Sequence, residues 1–493
     1  MTSAPKPANT ARTVFKNTFL ITFGSVALKI VNFLFNLYVV RQLGDDRFGQ
    51  YAVVLAFVGL FQIMAELGIS QYAMREIAQN RAKTEALFWN VVAVRFILAL
   101  LVLPIIPLAA AASSYSPELV LGVFLYTSTF LLAAIEAPVQ MILTAYERFD
   151  YVTGMTVIGQ ICFALIGAAF LLSGQGFLWL IGASLLSFFP RIALGLWAIR
   201  KHNLVKFNFA FAPRSWPALI RAGLPFGIIT LTLTIAFSID AVMLKMFWED
   251  QVVGWYKVAY ELIFSIMFIT RGFKEAMVPS LSRAYVDDPK QVERWYYRTV
   301  KVILLISLPI AVGGMMIAHP LIRFLLTPDY YPNSAIALQI LIWDVPFLMF
   351  SAFCGNMATV TKQEKQAAVI YTINAIANIV LNLLTIPRFG YVAASVVTVA
   401  TDLIGAIQFH LLLSQKLHLP DLRSVGARVA LASTLMGVIL WLATGLHVIL
   451  LIPLGGIIYA FGVLALRLLD QEEWGLIFRI LRKLRIPVPV KNG

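Results

Sequence analysis

Long apolar runs separated by short polar turns cover most of the chain. About 20 apolar residues at 1.5 Å rise per residue cross the hydrocarbon core of a bilayer, and about 14 runs approach or exceed that length. They lie near residues 18–40, 50–71, 87–110, 119–143, 153–173, 176–199, 219–247, 253–279, 298–318, 335–360, 367–387, 391–414, 425–446 and 448–468. The pattern predicts an all-α polytopic membrane protein with about 14 transmembrane helices.

Composition and charge placement agree with this class. The 493 residues are 60% hydrophobic and 13% charged, roughly half the charged fraction of a globular domain. Of the 39 Lys and Arg residues, about 30 fall in turns on one side and about 6 on the other. By the positive-inside rule, both termini are cytoplasmic and the protein lies in the cytoplasmic (inner) membrane. The net charge of +14 therefore reflects orientation and does not indicate nucleic acid.

Two stretches of the sequence resemble one another. RQLGDDRFGQYAVV (41–54) matches KMFWEDQVVGWYKVA (245–259), with Gly49 aligned to Gly254 and Tyr51 to Tyr256. Such a repeat indicates two equivalent halves, a common transporter architecture. We expect two pseudo-symmetric six-helix bundles plus a C-terminal helix pair. The predicted parts are a cytoplasmic N-terminal segment (1–17), an N-terminal bundle (18–199), a cytoplasmic connector (200–218), a C-terminal bundle (219–414), the helix pair (425–468) and a cytoplasmic basic amphipathic tail (470–493).

A polar stripe runs along the first predicted span. Its members are three or four residues apart and therefore share one helix face: Thr18, Thr22, Ser25, Lys29, Asn32 and Asn36. Such a face either lines a water-filled cavity or forms a hydrogen-bonded seam with neighbouring helices. We favour a cavity because a seam does not require an ammonium group at mid-membrane. Lys29, Asn32, Asn36 and Ser25 are therefore the predicted substrate-binding residues.

The second span and its repeat mate carry opposite charges. Glu66 falls on Arg271 at the offset that aligns Gly49 with Gly254, near the cytoplasmic side. If a pseudo-two-fold axis relates the halves, the two side chains meet across it and their salt bridge closes an inner gate. The competing interpretation is that each pairs locally or with lipid headgroups.

Five further acidic residues lie within predicted spans: Asp240, Glu261, Asp344, Glu136 and Asp402. A charge at mid-membrane costs about 2.5–3.5 kcal/mol, so such a group faces a cavity or a partner. These carboxylates are candidates for H⁺ or Na⁺ coupling, or for sugar contacts. Structural pairing with the intramembrane cations Lys29, Arg95 and Arg191 is the alternative.

Several kinds of chemistry have no sequence support. No phosphate-cradling glycine loop is present, and no Cys/His spacing suggests a metal site. Cys162 and Cys354 lie in apolar runs and are expected to be buried small hydrophobes. We also find no nucleophile–base pair in a place that could hold a substrate. We therefore expect no enzyme activity, no metal and no organic cofactor.

Three segments carry a family resemblance. These are LGDDRFGQYAVVLAFVGLFQIMAELGISQYAMREIA (43–78), SIDAVMLKMFWEDQVVGWYKVAYELI (238–263) followed by MVPSLSRAY, and NIVLNLLTIPRFGYVAAS (378–395). In order and spacing the chain resembles bacterial polysaccharide transporters over about residues 14–414. These transporters form the lipid-linked oligosaccharide flippase branch of the multidrug/oligosaccharidyl-lipid/polysaccharide exporter superfamily.

The resemblance implies two six-helix bundles around a central cavity that work by alternating access. It also implies an isoprenoid-diphosphate-linked oligosaccharide substrate, such as a polysaccharide or O-antigen precursor, with Lys29 as the candidate contact for the anionic head group. The implied partners are this substrate, membrane lipids and polysaccharide polymerase or ligase machinery. The final helix pair is similar to 14-span lipid II flippases. Those have several arginines in their first cavity helices, whereas this chain has one lysine, which argues against a peptidoglycan precursor.

Three alternatives stay open. A cation-coupled multidrug exporter of the same superfamily would depend on the cavity acids instead of Lys29. A membrane polysaccharide ligase or polymerase would require a sizeable external loop, and every predicted external turn is short. A scaffold without transport would have no need of Lys29 at mid-membrane.

Overall fold

The computed structural model describes residues 7–206, 208–209, 211–266, 289–470 and 473–475, apart from the side chains of 7–28, 229, 232, 233, 236, 266 and 289. Regular structure in these ranges is helical. The α-helices are α1 (Pro7–Glu66), α2 (Ile69–Gln79), α3 (Thr84–Ala112), α4 (Pro117–Ala145), α5 (Phe149–Leu172), α6 (Phe177–Leu186), α7 (Phe188–Lys201), α8 (Trp216–Phe247), α9 (Asp250–Ile266), α10 (Pro289–Leu325), α11 (Asn333–Leu341), α12 (Asp344–Val360), α13 (Glu364–Ser414), α14 (Arg423–Leu442) and α15 (Val448–Ala465).

This architecture confirms the predicted all-α polytopic class. Within the described ranges, ten helical stretches are long and apolar enough to cross a membrane. Two of them, 29–66 and 364–414, each overlap two of the predicted spans. The count of about 14 stays a prediction. The basic tail beyond Gly475 and residues 267–288 lie outside the described residues.

Glycines with positive φ break the two longest helices. α1 is broken at Gly44 (φ 72°, ψ 175°) and α13 at Gly390 (φ 54°, ψ −135°). Both conformations are open to glycine because it lacks a Cβ. The very short turn expected at 388–391 is therefore confirmed. Trp248 covers this turn, since its indole N–H donates to the Ile386 carbonyl at 2.8 Å and its ring contacts Gly390.

The predicted end of the second span is wrong. The second span, expected over 50–71, ends at Glu66, and the chain turns at Leu67 and Gly68 before α2 begins. Its end differs because both turn residues have positive φ, which a continuing helix does not tolerate. At the other end of the chain's first span, α1 already begins at Pro7 within the predicted N-terminal segment.

The chain folds into two compact units. The first contains Met1–Val258 and Ile379–Tyr391, and the second contains Ala259–Asn378 and Val392–Gly493. The predicted division into bundles at 200–218 stays a prediction. In the first unit, α2, α3, α4, α5 and α7 enclose an apolar core that includes Ile69, Val94, Val139, Ile142, Met155 and Ala198.

The second unit is built on α10. One core joins α10 to α12 and α13 and includes Tyr296, Cys354, Met357 and Phe409. A smaller core joins α10 to α14 and α15, where the Tyr459 hydroxyl donates to the Leu305 carbonyl at 2.8 Å. The C-terminal helix pair is therefore packed onto α10.

A buried lysine fixes the segment after α15 to the same helix. Lys301 is 4% exposed, and its Nζ lies 2.6 Å from Glu473 Oε2 and 3.7 Å from Asp470 Oδ2. Asp470 and Glu473 also bond each other's backbone N–H groups, each at 2.9 Å, in a capping box. Asp470 and Glu473 thus belong to the second unit.

Candidate functional site

The polar stripe of α1 faces the protein along the part whose side chains are described. Lys29, Asn32 and Asn36 are half-buried. Their apolar neighbours Ile30, Val31 and Leu34 are instead 45–57% exposed and form the outward face. The side chain of Ser25 lies outside the described residues. Lys29 therefore lies on the side of the helix away from its exposed apolar face.

Phe35 fixes the position of this stripe against α5. Its ring stacks edge-on against Phe163 with 5.3 Å between centroids, and its Cζ lies against Gly167. Lys29 and Asn32 come one to two turns before this contact on the same helix.

Glu66 forms a local ion pair. Its carboxylate lies 3.0 Å from Arg95 Nη1 of α3, and Arg95 also donates to Ser70 Oγ of α2 at 2.7 Å. Arg95 is 5% exposed, so this pairing offsets the cost of a buried guanidinium. Arg271 lies outside the described residues. The Glu66–Arg271 gate stays a prediction, and Glu66 has the local partner that the competing interpretation required.

A small cleft lies between the second part of α1 and α8. It is lined by Gly59, Gln62, Ile63, Glu66, Gly68, Thr230, Leu231 and Thr234. The cleft places Gln62 and Glu66 of α1 against two threonines of α8.

Close glycine contacts join the two repeats at the other end of this helix pair. Gly49 packs against the Asp250 carbonyl, and Gly254 packs against the Asp45 carbonyl. The two contacts are reciprocal, because Asp45 of one repeat aligns with Asp250 of the other and Gly49 aligns with Gly254. This reciprocity is the contact that a pseudo-two-fold axis produces. Trp255 adds a hydrogen bond from its indole Nε1 to Asp45 Oδ2 at 2.8 Å.

Asp240 is buried among hydrogen-bond donors. It is 4% exposed, and its two carboxylate oxygens accept from Tyr256 Oη and from Asn382 Nδ2, each at 2.8 Å. These partners come from α9 and α13. An ionised carboxylate fits this arrangement because a phenol and an amide each donate one N–H or O–H to it.

Two other predicted carboxylates meet in the second unit. Asp402 of α13 is hydrogen-bonded to Asp344 of α12, which is 4% exposed. A hydrogen bond between two carboxyl groups needs a proton on one of them, because an ionised carboxylate only accepts hydrogen bonds. On the same helix, Asn374 donates to Gln408 Oε1 at 2.9 Å.

Glu136 and Glu261 occupy different surroundings. Glu136 is half-buried in α4 and interacts electrostatically with Arg191 and Arg95. Glu261 is half-buried in α9. Among the described residues, no three His, Cys, Asp or Glu side chains come together as a metal site.

Family comparisons identify the chain. A family model described as "Polysaccharide biosynthesis protein" matches residues 14–285, more than half of the chain. The chain belongs to the polysaccharide biosynthesis protein family. A second family model, MatE, matches residues 225–384 of the chain. Both place it in the multidrug/oligosaccharidyl-lipid/polysaccharide exporter superfamily, on the polysaccharide and lipid-linked flippase branch.

Solved structures share the fold. A structure titled "Lipid II flippase MurJ, inward closed conformation" aligns with a TM-score of 0.75 at 16% identity, covering 91% of this chain and 99% of that one. A multidrug resistance MATE family transporter in an inward-facing conformation aligns with a TM-score of 0.62 at 16% identity, covering 78% and 94%. A search of curated protein sequences gives no match. The chain is a multi-pass membrane protein, and the solved structures that share its fold are those of a flippase and a transporter.

Sequence reasoning found most of the charged residues but not their partners. The pairs Glu66–Arg95 and Asp344–Asp402 each join two different helices, and the periodicity of a single helix does not reveal such pairs. The sequence did not predict that Tyr256 donates a hydrogen bond to Asp240. The one indication in the sequence is that Tyr256 lies in an apolar run and aligns with Tyr51 of the other repeat.

Proposed function

We propose that this protein is a flippase that moves an isoprenoid-diphosphate-linked oligosaccharide across the cytoplasmic membrane by alternating access. The orientation of the α1 stripe carries the proposal, since it directs Lys29, Asn32 and Asn36 away from the exposed apolar face. An ammonium group suits a diphosphate or an acidic sugar. Membership of the polysaccharide biosynthesis protein family supports the substrate class. Both termini are cytoplasmic in this proposal, and polymerase or ligase machinery receives the product.

A reconstituted flipping assay tests this proposal. The purified protein is placed in vesicles with a labelled lipid-linked oligosaccharide, and the label that becomes accessible on the far leaflet is measured. We expect Lys29→Gln to lower the rate about tenfold or more, the loss of one charge-assisted contact. Lys29→Arg should restore much of it. Lys365→Gln, a change at an exposed lysine at the start of α13, is the matched control. Wild-type rates in Lys29→Gln would remove the head-group role.

Ion coupling belongs to the same proposal. Asp240 and Asp344 are buried, Asp402 pairs with Asp344, and these acids suit H⁺ or Na⁺. Flipping measured with an imposed Na⁺ or pH gradient distinguishes the two ions. A rate that responds to neither gradient would exclude coupling.

A second candidate is a cation-coupled multidrug exporter. The MatE match over residues 225–384 favours it. This function predicts that the purified protein binds organic cations and that Asp240→Asn abolishes the binding while Lys29→Gln does not. Binding of the lipid-linked oligosaccharide with no affinity for organic cations would decide for the flippase.

A further inference from the structure

Arg191 lies at mid-depth in the N-terminal half. It precedes Lys201, the last residue of α7, by ten residues, or about 15 Å, which is half of a hydrocarbon core of about 30 Å. Its Cζ lies 5.2 Å from the centroid of the Phe188 ring. Its Nε is shielded from solvent and has no hydrogen-bond partner among the described residues. A cation at this depth ordinarily has a polar partner, so the position calls for a ligand.

A glycine makes room for this guanidinium. A Cβ at Gly159 of α5 would overlap Arg191 Nε and lie 2.7 Å from its Cδ and Cζ. One turn closer to Lys201, Gly195 packs against Val139 of α4 and Met155 of α5. Arg191 and Gly195 share a helix face because they are four residues apart. The Arg191 side chain is therefore directed between α4 and α5.

Glu136 is the carboxylate that faces this position. It comes three residues before Val139 on α4. It interacts electrostatically with Arg191 and, more weakly, with Arg95. Arg95 has an ion-pair partner in Glu66 at 3.0 Å. In the part of the chain that the structure describes, Arg191 has no carboxylate at ion-pair distance, and its side chain is only half-buried. The guanidinium is therefore partly neutralised through space and keeps N–H groups for a ligand.

Lys29 lies at nearly the same depth. Phe35 of α1 meets Phe163 of α5 and sets the relative height of the two helices. Lys29 precedes Phe35 by six residues, and Gly159 precedes Phe163 by four, which amounts to about 9 Å and about 6 Å along the helices. Lys29 and the Arg191 guanidinium, which lies against Gly159, thus differ in depth by about 3 Å.

We propose that Arg191 is an anion-binding residue of this transporter that acts with Lys29 on one oxyanion group of the substrate. A planar guanidinium donates two parallel N–H groups and so matches a phosphate or a carboxylate. The ligand is the diphosphate of the lipid carrier or the carboxylate of an acidic sugar. This inference rests on the proposed function, and Glu136 balances the charge of Arg191 when no ligand is bound.

Anion binding by the purified full-length protein tests this inference without a flipping assay. Inorganic diphosphate is titrated calorimetrically in one arm and glucuronate in the other. We expect Arg191→Gln to raise the Kd of the preferred anion about tenfold or more, the loss of a charge-assisted contact. Arg191→Lys should give a smaller loss because the charge remains. Gly159→Ala should also weaken binding, since the added methyl group displaces the guanidinium.

Arg200→Gln is the matched control, because Arg200 is an exposed arginine of the same helix. Thermal unfolding of each variant shows whether it is folded, and Arg191→Lys serves if Arg191→Gln does not fold. Wild-type affinity in the Arg191 and Gly159 variants, or no binding of either anion by the wild type, overturns the inference. Arg191-dependent anion binding in a protein that flips no lipid-linked sugar supports the anion site and overturns the proposed function instead.

Discussion

Gly49 and Gly254 occupy equivalent positions of the two repeats and pack on each other's segment. Gly49 lies on the Asp250 carbonyl and Gly254 on the Asp45 carbonyl. Neither contact leaves space for a Cβ. The two repeats therefore meet through backbone atoms at this end of α1 and α8. This contact requires that positions 49 and 254 carry no side chain.

The first prediction concerns this contact. Gly49→Ala and Gly254→Ala should each destabilise the protein by about 1–3 kcal/mol, because a methyl group is forced into a closely packed contact. Thermal unfolding of the purified protein measures the effect. Gly182→Ala is the control, since nothing lies within 4 Å of its added Cβ. Equal unfolding temperatures for all three variants would contradict the close contact. Under the proposed orientation this end is external, so the two variants should also leak substrate.

The second prediction concerns the ion pair between Glu66 and Arg95. Glu66→Gln should destabilise the protein by about 3–5 kcal/mol because a buried guanidinium loses its counter-ion. The Arg75–Glu76 pair, at 3.8 Å and with Arg75 exposed, provides the comparison, and Arg75→Gln should change stability by less than about 0.5 kcal/mol. Chemical denaturation in detergent measures both.

The same residue tests the gate hypothesis. If Glu66 also meets Arg271 during transport, charge reversal at both positions should restore flipping lost in either single reversal. Failure of the double reversal to restore flipping, with the protein folded, would leave Arg95 as the relevant partner.

The third prediction concerns Asp240. Tyr256→Phe removes one hydrogen-bond donor from a buried carboxylate and should cost about 1–3 kcal/mol of stability. Asp240→Asn should remove the dependence of transport on an imposed ion gradient. Asp150→Asn, a change at an exposed acid at the start of α5, is the control. Retained gradient dependence in Asp240→Asn would assign coupling elsewhere, with Asp344 and Asp402 as the next residues to examine.

The fourth prediction concerns Lys301 and the segment after α15. Glu473→Gln should lower the unfolding temperature because it leaves the Lys301 ammonium buried beside a neutral amide. The double variant Lys301→Met with Glu473→Gln should be more stable than Glu473→Gln alone, since it removes the buried charge as well. Additive losses in the double variant would show that the two side chains act independently.

The fold followed from the sequence because apolar run length and glycine turns are local properties. The break at Gly390 and the inward orientation of Lys29 both follow from residues close together in the chain. The partner of Glu66 did not follow, because the repeat offset pointed to Arg271 while Arg95 lies on the neighbouring α3. Helix packing decides such pairs, and periodicity describes single helices only.

The early end of the second span has a similar cause. Hydropathy continues past Glu66 into Leu67, Gly68 and Ile69, so the apolar pattern extended the helix. The helix ends at Leu67 and Gly68, which have positive φ, and Gly68 packs closely against Gly223 and Gly227 of α8. That contact comes from a segment more than 150 residues away, so the apolar pattern around Glu66 does not reveal it.

The indole of Trp248 has a practical consequence for mapping topology. It donates to the Ile386 carbonyl and covers Gly390. The backbone that connects the two parts of α13 is therefore hydrogen-bonded by the protein, whereas the backbone of a longer loop would bond to water. An epitope inserted there would separate the indole from the backbone it covers. Gly174, which has nothing within 4 Å of its added Cβ, offers open space for such a reporter.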